Sequence, residues 1–218
     1  MARILFVIPT DEAIAGRTSA IAAVLSARPD TVNIVTIGRP HDYTRNSSIR
    51  CFLGAPEFTH LFFLDSDVEP PLDVIDKLLA LNCPLATGCY PIMDEDSVAW
   101  ALARIKTDRR YRLLQLLELD KPFEVDGGGA GCLLIRRDVF DKVKWPWFKW
   151  TEEENGYQEG EDFYFFRKCN EAGLAVMADP EIICEHRKTI GLLLMMRMKM
   201  QIAKLRIEIE RLKNVDKV

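Results

Sequence analysis

The sequence of 218 residues has no apolar run near the roughly 18 residues that cross a bilayer; its richest stretch, Ile190 to Met196, is soon broken by Arg197 and Lys199. No transmembrane helix is therefore expected. It has no C-x-x-C spacing among Cys51, Cys83, Cys89, Cys132, Cys169 and Cys184, which argues against a zinc site or a disulfide framework. Most of these cysteines sit in apolar runs and read as small buried thiols of a reducing cytoplasm. Basic residues are not in excess: 29 Lys and Arg stand against 33 Asp and Glu, for a net charge of -4. A nucleic-acid backbone is therefore not an expected partner, although a nucleotide needs only a local site. No G-x-G-x-x-G follows the first apolar run, so a dinucleotide-binding oxidoreductase is disfavoured. The same position lacks a glycine-rich, basic phosphate loop, which counts against nucleotidyl transfer.

The opening run Ile4–Ile8 stops at Pro9 and meets Asp11 and Glu12, too short for a signal-peptide core and better read as a buried first strand. A cytoplasmic protein is expected. Further apolar runs at Val32–Ile37, Leu61–Leu64 and Leu85–Thr87 suit strands covered on both faces. Helical stripes lie between them, at Ile14, Ile21, Val24 and Leu25 and again at Val74, Ile75, Leu78, Leu79 and Leu81. This alternation predicts an α/β fold with a mixed, mostly parallel sheet flanked by helices. Later strands are expected at Val98–Ile105, Cys132–Ile135, Ala175–Ala178 and Glu181–Cys184, with a helix from Glu161 to Ala172 closed by Gly173. The segment Trp145–Trp150, broken by Pro146, reads as a loop.

The end of the chain has a different period. Met195, Met198, Ile202, Leu205, Ile209 and Leu212 follow an a/d heptad seam. The expectation is one domain over residues 1–188 and a C-terminal helix over 189–218 that makes a homo-oligomer.

Chemistry concentrates at Leu61-Phe62-Phe63-Leu64-Asp65-Ser66-Asp67, an apolar strand running into two acids. If the backbone stays extended, Asp65 and Asp67 project to one side and Ser66 to the other. Two like charges so placed ask for a cation, and oxygen ligands suit Mg²⁺ or Mn²⁺ completed by substrate phosphates. Ligands of open α/β sheets bind beyond the carboxyl ends of strands, where this pair should lie.

The stretch from Thr59 to Pro71 resembles the DXD region of GT-A glycosyltransferases, particularly family 2. Three more blocks follow the family's order: Tyr43-Thr44-Arg45-Asn46 before it, then Val125 to Arg137 with its glycine loop, then Gly160-Glu161-Asp162-Phe163. The resemblance spans roughly residues 3 to 188 and implies a Rossmann-like GT-A fold. It also implies a metal-dependent transfer of a sugar from a UDP- or GDP-linked donor to a hydroxyl acceptor. By the same resemblance Asp162, with Glu161 as lesser candidate, is the general base. Asp67, His186 and Asp65 hold Mn²⁺ or Mg²⁺. Pro9, Thr10, Asp11, Arg45, Asp65 and Ser66 meet the nucleotide, while Tyr90, Gly128 and Gly129 meet donor or acceptor sugar. The alternatives are a non-catalytic sugar-nucleotide-binding scaffold and a nucleotidyltransferase of related architecture.

Overall fold

Along the first strand, Ile4, Phe6 and Ile8 turn to one face and Leu5 and Val7 to the other, and all five are buried. A strand with apolar side chains on both faces belongs inside a sheet covered on both sides. The computed structural model describes residues 2–11, 13–38, 40–94, 97–105, 110–115, 121–154, 156–188, 200–202 and 204–206. The chain forms two units, residues 1–187 and 188–218.

In chain order the first unit runs β1 (Ile4–Thr10), α1 (Gly16–Ser26), β2 (Thr31–Ile37), α2 (His41–Gly54), β3 (His60–Leu64), β4 (Val68–Glu69) and α3 (Val74–Ala80). It continues with β5 (Leu85–Cys89), β6 (Pro91–Asp94), β7 (Ser97–Ile105), β8 (Tyr111–Leu114), β9 (Phe123–Val125), β10 (Gly127–Gly128), β11 (Cys132–Arg136) and α4 (Val139–Lys142). Then come β12 (Thr151–Glu152), β13 (Gln158–Glu159), α5 (Glu161–Glu171), β14 (Val176–Ile183) and β15 (Glu185–His186).

The main sheet has the order β2-β1-β3-β11-β5-β14-β9. The strands β2, β1, β3, β5 and β14 point one way, and β11 and β9 run against them. This is the mixed, mostly parallel α/β sheet that the alternating pattern predicts. One face packs Leu5, Val7, Phe63 and Leu133 with Ile49 and Phe52 of α2 and Phe165 of α5. The other packs Ile4, Phe6, Phe62 and Leu134 with Leu25 of α1 and Ile75 and Leu78 of α3. Phe62 and Phe63, neighbours on β3, are fully buried on opposite faces. Each gains about 1.5–3 kcal/mol from that burial.

Three local features differ from the sequence expectation. The two late strands merge into β14, whose pairing with β5 shifts register between Ala178 and Ile183. Pro180, which has no N–H to donate, lies in that irregular stretch. Helix α2 is absent from the apolar pattern because Thr44, Arg45, Asn46 and Ser48 take buried positions along it. Lastly, β3 ends at Leu64, and Val68 N donates to Asp65 O at 3.1 Å. Asp65-Ser66-Asp67 is therefore a turn, not the extended segment that would set both acids side by side.

Of the heptad seam, only Ile202 and Leu205 fall within the described residues, where 200–202 and 204–206 are helical and both side chains are exposed. Met195, Met198, Ile209 and Leu212 lie outside them. Among the described residues no helix is long and apolar enough to cross a membrane.

Candidate active site at the carboxyl ends of the sheet

Because β1, β3, β5 and β14 are co-directional, Thr10 at the end of β1 and Asp65, Tyr90 and His186 beyond the ends of β3, β5 and β14 lie along one edge of the sheet. Strand β11 runs the other way, so its entry residue Gly131 arrives there too, and Gly131 O accepts from Asp65 N at 2.9 Å. The Asp65–Asp67 turn is held from three sides. Ala15 N donates to Ser66 O, Arg187 N to Asp67 O, and Val68 N to Asp65 O, at 2.8, 2.8 and 3.1 Å. With its backbone thus fixed, the turn presents Asp65 and Asp67 with side chains 29% and 30% exposed.

Beneath them lies Arg45, projected from α2 and only 4% exposed. Its Nη2 donates to Asp65 Oδ1 at 2.8 Å, and its Nε stands 3.3 Å from Asp162 Oδ1. The second contact is an ion pair without hydrogen-bond alignment, and among the described residues Nη1 has no hydrogen-bond partner. The guanidinium also lies 5.3 Å from the Phe63 ring centroid and 5.6 Å from that of Phe148, aromatic neighbours that favour a desolvated cation. The next residue braces this wall: Asn46 Nδ2 donates to Phe148 O at 2.7 Å and Asn46 Oδ1 accepts from Phe148 N at 3.1 Å. Arg45 is thus buried against two carboxylates.

Asp162 sits in the first turn of α5, where a carboxylate complements the helix dipole. Its Oδ2 accepts from Ala130 N at 3.0 Å, and the side chain keeps a fifth of its surface exposed. It is both held and reachable. Burial raises its pKa above the ordinary aspartate value; Arg45 and the Ala130 N–H oppose that rise, while Asp65 adds to it. Burial, with Asp162 beside it, pushes Glu161 up to about 7.

On the far side of the turn, His186 Nε2 faces Asp67 Oδ2 at 3.4 Å. The antiparallel pairing of β15 with β4 brings them together. Nδ1 lies 2.8 Å from Pro91 O, an atom that can only accept, so Nδ1 carries the proton. In the neutral ring Nε2 is then a lone pair aimed at a carboxylate, an arrangement that suits a shared cation. Asp67 and His186 therefore fit a divalent metal, while Asp65 is engaged by Arg45. No group of three His, Cys, Asp or Glu side chains converges on a metal position among the described residues.

The glycine loop serves the protein's own packing. A Cβ on Gly129 would lie 2.1 Å from Tyr90 Oη, one on Gly128 2.4 Å from Ala101 O, and one on Gly131 2.8 Å from Asp65 Oδ2. Tyr90 is itself buried, accepting from Gly131 N at 2.9 Å and meeting the His186 ring edge-on at 5.3 Å. Tyr90, Gly128 and Gly129 thus pack against the protein's own atoms in the wall behind the site. Pro9, Thr10 and Asp11 close β1, with Thr10 O accepting from Gly38 N and Thr10 Oγ1 donating to Ala13 O. These contacts shape the loop beside the Ser66 turn.

No protein-family model matches the sequence, and no curated protein matches it. Solved structures do resemble the chain. A197 from STIV superposes with a TM-score of 0.59 at 21% identity, covering 86% of this chain and 86% of that one. GalNAc-T7, solved with UDP, GalNAc and Mn²⁺, gives 0.52 at 12% identity over 87% of this chain and 44% of its own. The fold is GT-A-like. An inositol-1-phosphate CTP transferase from T. maritima gives 0.48 at 12% identity, over 87% of this chain and 91% of its own.

Sequence reasoning missed one cluster beside the turn. Glu69, with a side chain only 3% exposed, takes Arg187 Nε at 2.8 Å and Nη2 at 3.3 Å, and lies 3.3 Å from Arg17 Nε. Its signal was an acid within the apolar and proline-rich run after Asp67, where a buried carboxylate needs cations.

Proposed function

We propose that this chain is a metal-assisted glycosyltransferase that moves a sugar from a UDP- or GDP-linked donor to a hydroxyl acceptor. The observation that carries the reading is Arg45 joining Asp65 to Asp162 at the sheet edge where Asp67 faces His186. A GT-A-like fold is consistent with it, as is similarity to a protein solved with UDP, GalNAc and Mn²⁺.

Asp67 and His186 would hold Mn²⁺ or Mg²⁺, with donor phosphates completing the shell. Such an ion supplies neutralisation of the charge that grows on a departing diphosphate. The chain's own groups do the rest. Asp162 takes the proton from the attacking hydroxyl, kept in place by Ala130 N and Arg45. Its raised pKa makes it a stronger acceptor than a solvated aspartate. Glu161, whose pKa burial also raises, stands next in line. The loop around Pro9, Thr10 and Asp11, with Ser66, lies where the nucleoside would dock.

Asp162→Asn should lower kcat by about 10²–10⁴-fold while calorimetry with UDP or GDP and Mn²⁺ returns the wild-type affinity. Full activity in this variant would remove Asp162 as the base. His186→Ala should weaken Mn²⁺ binding by at least about tenfold; equal affinity would remove His186 from the metal site. In the same proposal the heptad-patterned segment 189–218 mediates self-association. Sedimentation of a chain ending at Lys188 should then give a smaller assembly, and an unchanged mass would discard the idea.

A further inference from the structure

Two cavities flank the β12–β13 hairpin, and neither includes Asp65, Asp67, Asp162 or His186. The nearer, about 510 Å³, is bounded by Ile92, Tyr111, Arg112, Gln158 and Phe163 and reaches Gly160. The farther, about 610 Å³, is bounded by Ile105, Thr151, Glu153, Asn170 and Glu171. Tyr157 and Glu159 line both, so an extended ligand crossing Tyr157 passes from one cavity to the other.

The nearer cavity touches both halves of the candidate site through the chain itself. Ile92 follows Pro91, whose carbonyl holds His186. Gly160 is the N-cap of α5, immediately before Glu161 and Asp162. A group bound there lies between the support of the metal pair and the start of the base helix, as an acceptor must.

The walls decide the ligand class. Tyr111 and Phe163 sit with ring centroids 4.6 Å apart, and the Arg110 guanidinium lies 5.3 Å over Tyr157. The rings of Tyr111, Phe163 and Tyr157 line the cavities, and aromatic linings match the flat C–H faces of pyranose rings, while Gln115, Gln158, Glu153 and Asn170 offer partners for hydroxyls. Among the described residues charge does not favour a phosphate-bearing acceptor: Arg112 and Arg167 of the lining, with Arg110 over Tyr157, face Glu153, Glu159 and Glu171. Arg167 is already spent on Glu159, with two contacts of 2.9 Å. The nearer cavity, where the reacting group must sit, is lined more by polar than by apolar surface, with Gln115, Gln158 and Glu159 in its walls, which disfavours a lipid chain there.

We propose that the two cavities form one acceptor groove for a neutral oligosaccharide. Its terminal sugar occupies the cavity at Gly160, and the following units cross Tyr157 into the cavity at Glu153. This inference rests on the glycosyltransferase reading and specifies its acceptor.

Two measurements on the full chain separate the two claims. Nucleotide release from UDP- and GDP-sugars without acceptor tests the donor reading alone. Binding to a printed panel of neutral oligosaccharides of increasing length, with polyprenyl-phosphate vesicles alongside, tests the groove. The expected result is retention of oligosaccharides longer than a disaccharide, with the monosaccharides at least about tenfold weaker and the vesicles unbound. Tyr157→Ala should weaken the long glycans by about tenfold or more, as removal of an aromatic anchor does. Glu153→Ala, at a residue that lines the far cavity and not the near one, should weaken the long glycans and leave shorter ones as in the wild type. This second variant keeps the proposal testable if Tyr157→Ala folds poorly. Donor hydrolysis without glycan retention, or retention of the vesicles alone, overturns the groove and leaves the donor reading standing. Absence of donor hydrolysis counts against the donor reading instead.

Discussion

Arg45 is a buried cation with two carboxylates over it, and that geometry makes it a positioning residue. Removing one partner of a buried ion cluster leaves charge without compensation and costs about 3–5 kcal/mol. Arg45→Met should therefore lower the urea-unfolding free energy by that amount, and the added change Asp162→Asn should recover part of it. A single-variant loss below about 0.5 kcal/mol would mean that the cluster is not coupled. Glu161 gives a pH signature. The native state keeps its proton up to about pH 7, whereas the unfolded chain releases it near 4.5. Between those values the folded protein binds more protons, so stability falls as pH rises through the window. The upward shift of Asp162 acts in the same direction. Glu161→Gln should flatten this slope and make the protein more stable than wild type at pH 8. Unfolding midpoints at pH 5 and pH 8 check it, and an unchanged slope would contradict the buried-acid account.

At the scale of elements, the site hangs on a glycine loop that has no room for side chains. Gly129→Ala places a Cβ 2.1 Å from Tyr90 Oη, a contact that forces Tyr90 off Gly131 N. A thermal midpoint lowered by several degrees is expected, with part of the loss shared by Tyr90→Phe, which leaves the buried Gly131 N–H without its acceptor. An unchanged midpoint in both variants would mean that the loop tolerates rearrangement. This loop also marks where sequence reading stops. Alternating apolar runs are visible because burial on two faces demands them, so β1, β3, β5 and β11 were legible. Helix α2 was not, because its buried face carries the polar residues Thr44, Arg45, Asn46 and Ser48, and the partners of Arg45 and Asn46, Asp65 and Phe148, lie farther along the chain. The Asp65–Asp67 turn was hidden for the same reason: Ala15, Gly131 and Arg187 decide its backbone through hydrogen bonds from distant segments. Asp162 stood out as an acid in a helix start, yet its pairing with Arg45 depends on two elements that only the fold brings together.

Across the whole molecule, five co-directional strands deliver the ends of β1, β3, β5 and β14 to one edge, and the opposed strand β11 delivers its glycine entry to the same place. Motifs scattered from Thr10 to His186 thereby become one surface, with a cation buried under it and carboxylates above. That arrangement is the ground for assigning donor chemistry to this edge and an extended acceptor to the hairpin side. The most direct test of the central claim is nucleoside-diphosphate release from a panel of UDP- and GDP-sugars, followed with and without Mn²⁺. Release from at least one donor, stimulated by Mn²⁺ and abolished in Asp67→Asn, is the predicted result. Release from none of them, or release that ignores both Mn²⁺ and Asp67→Asn, would contradict it.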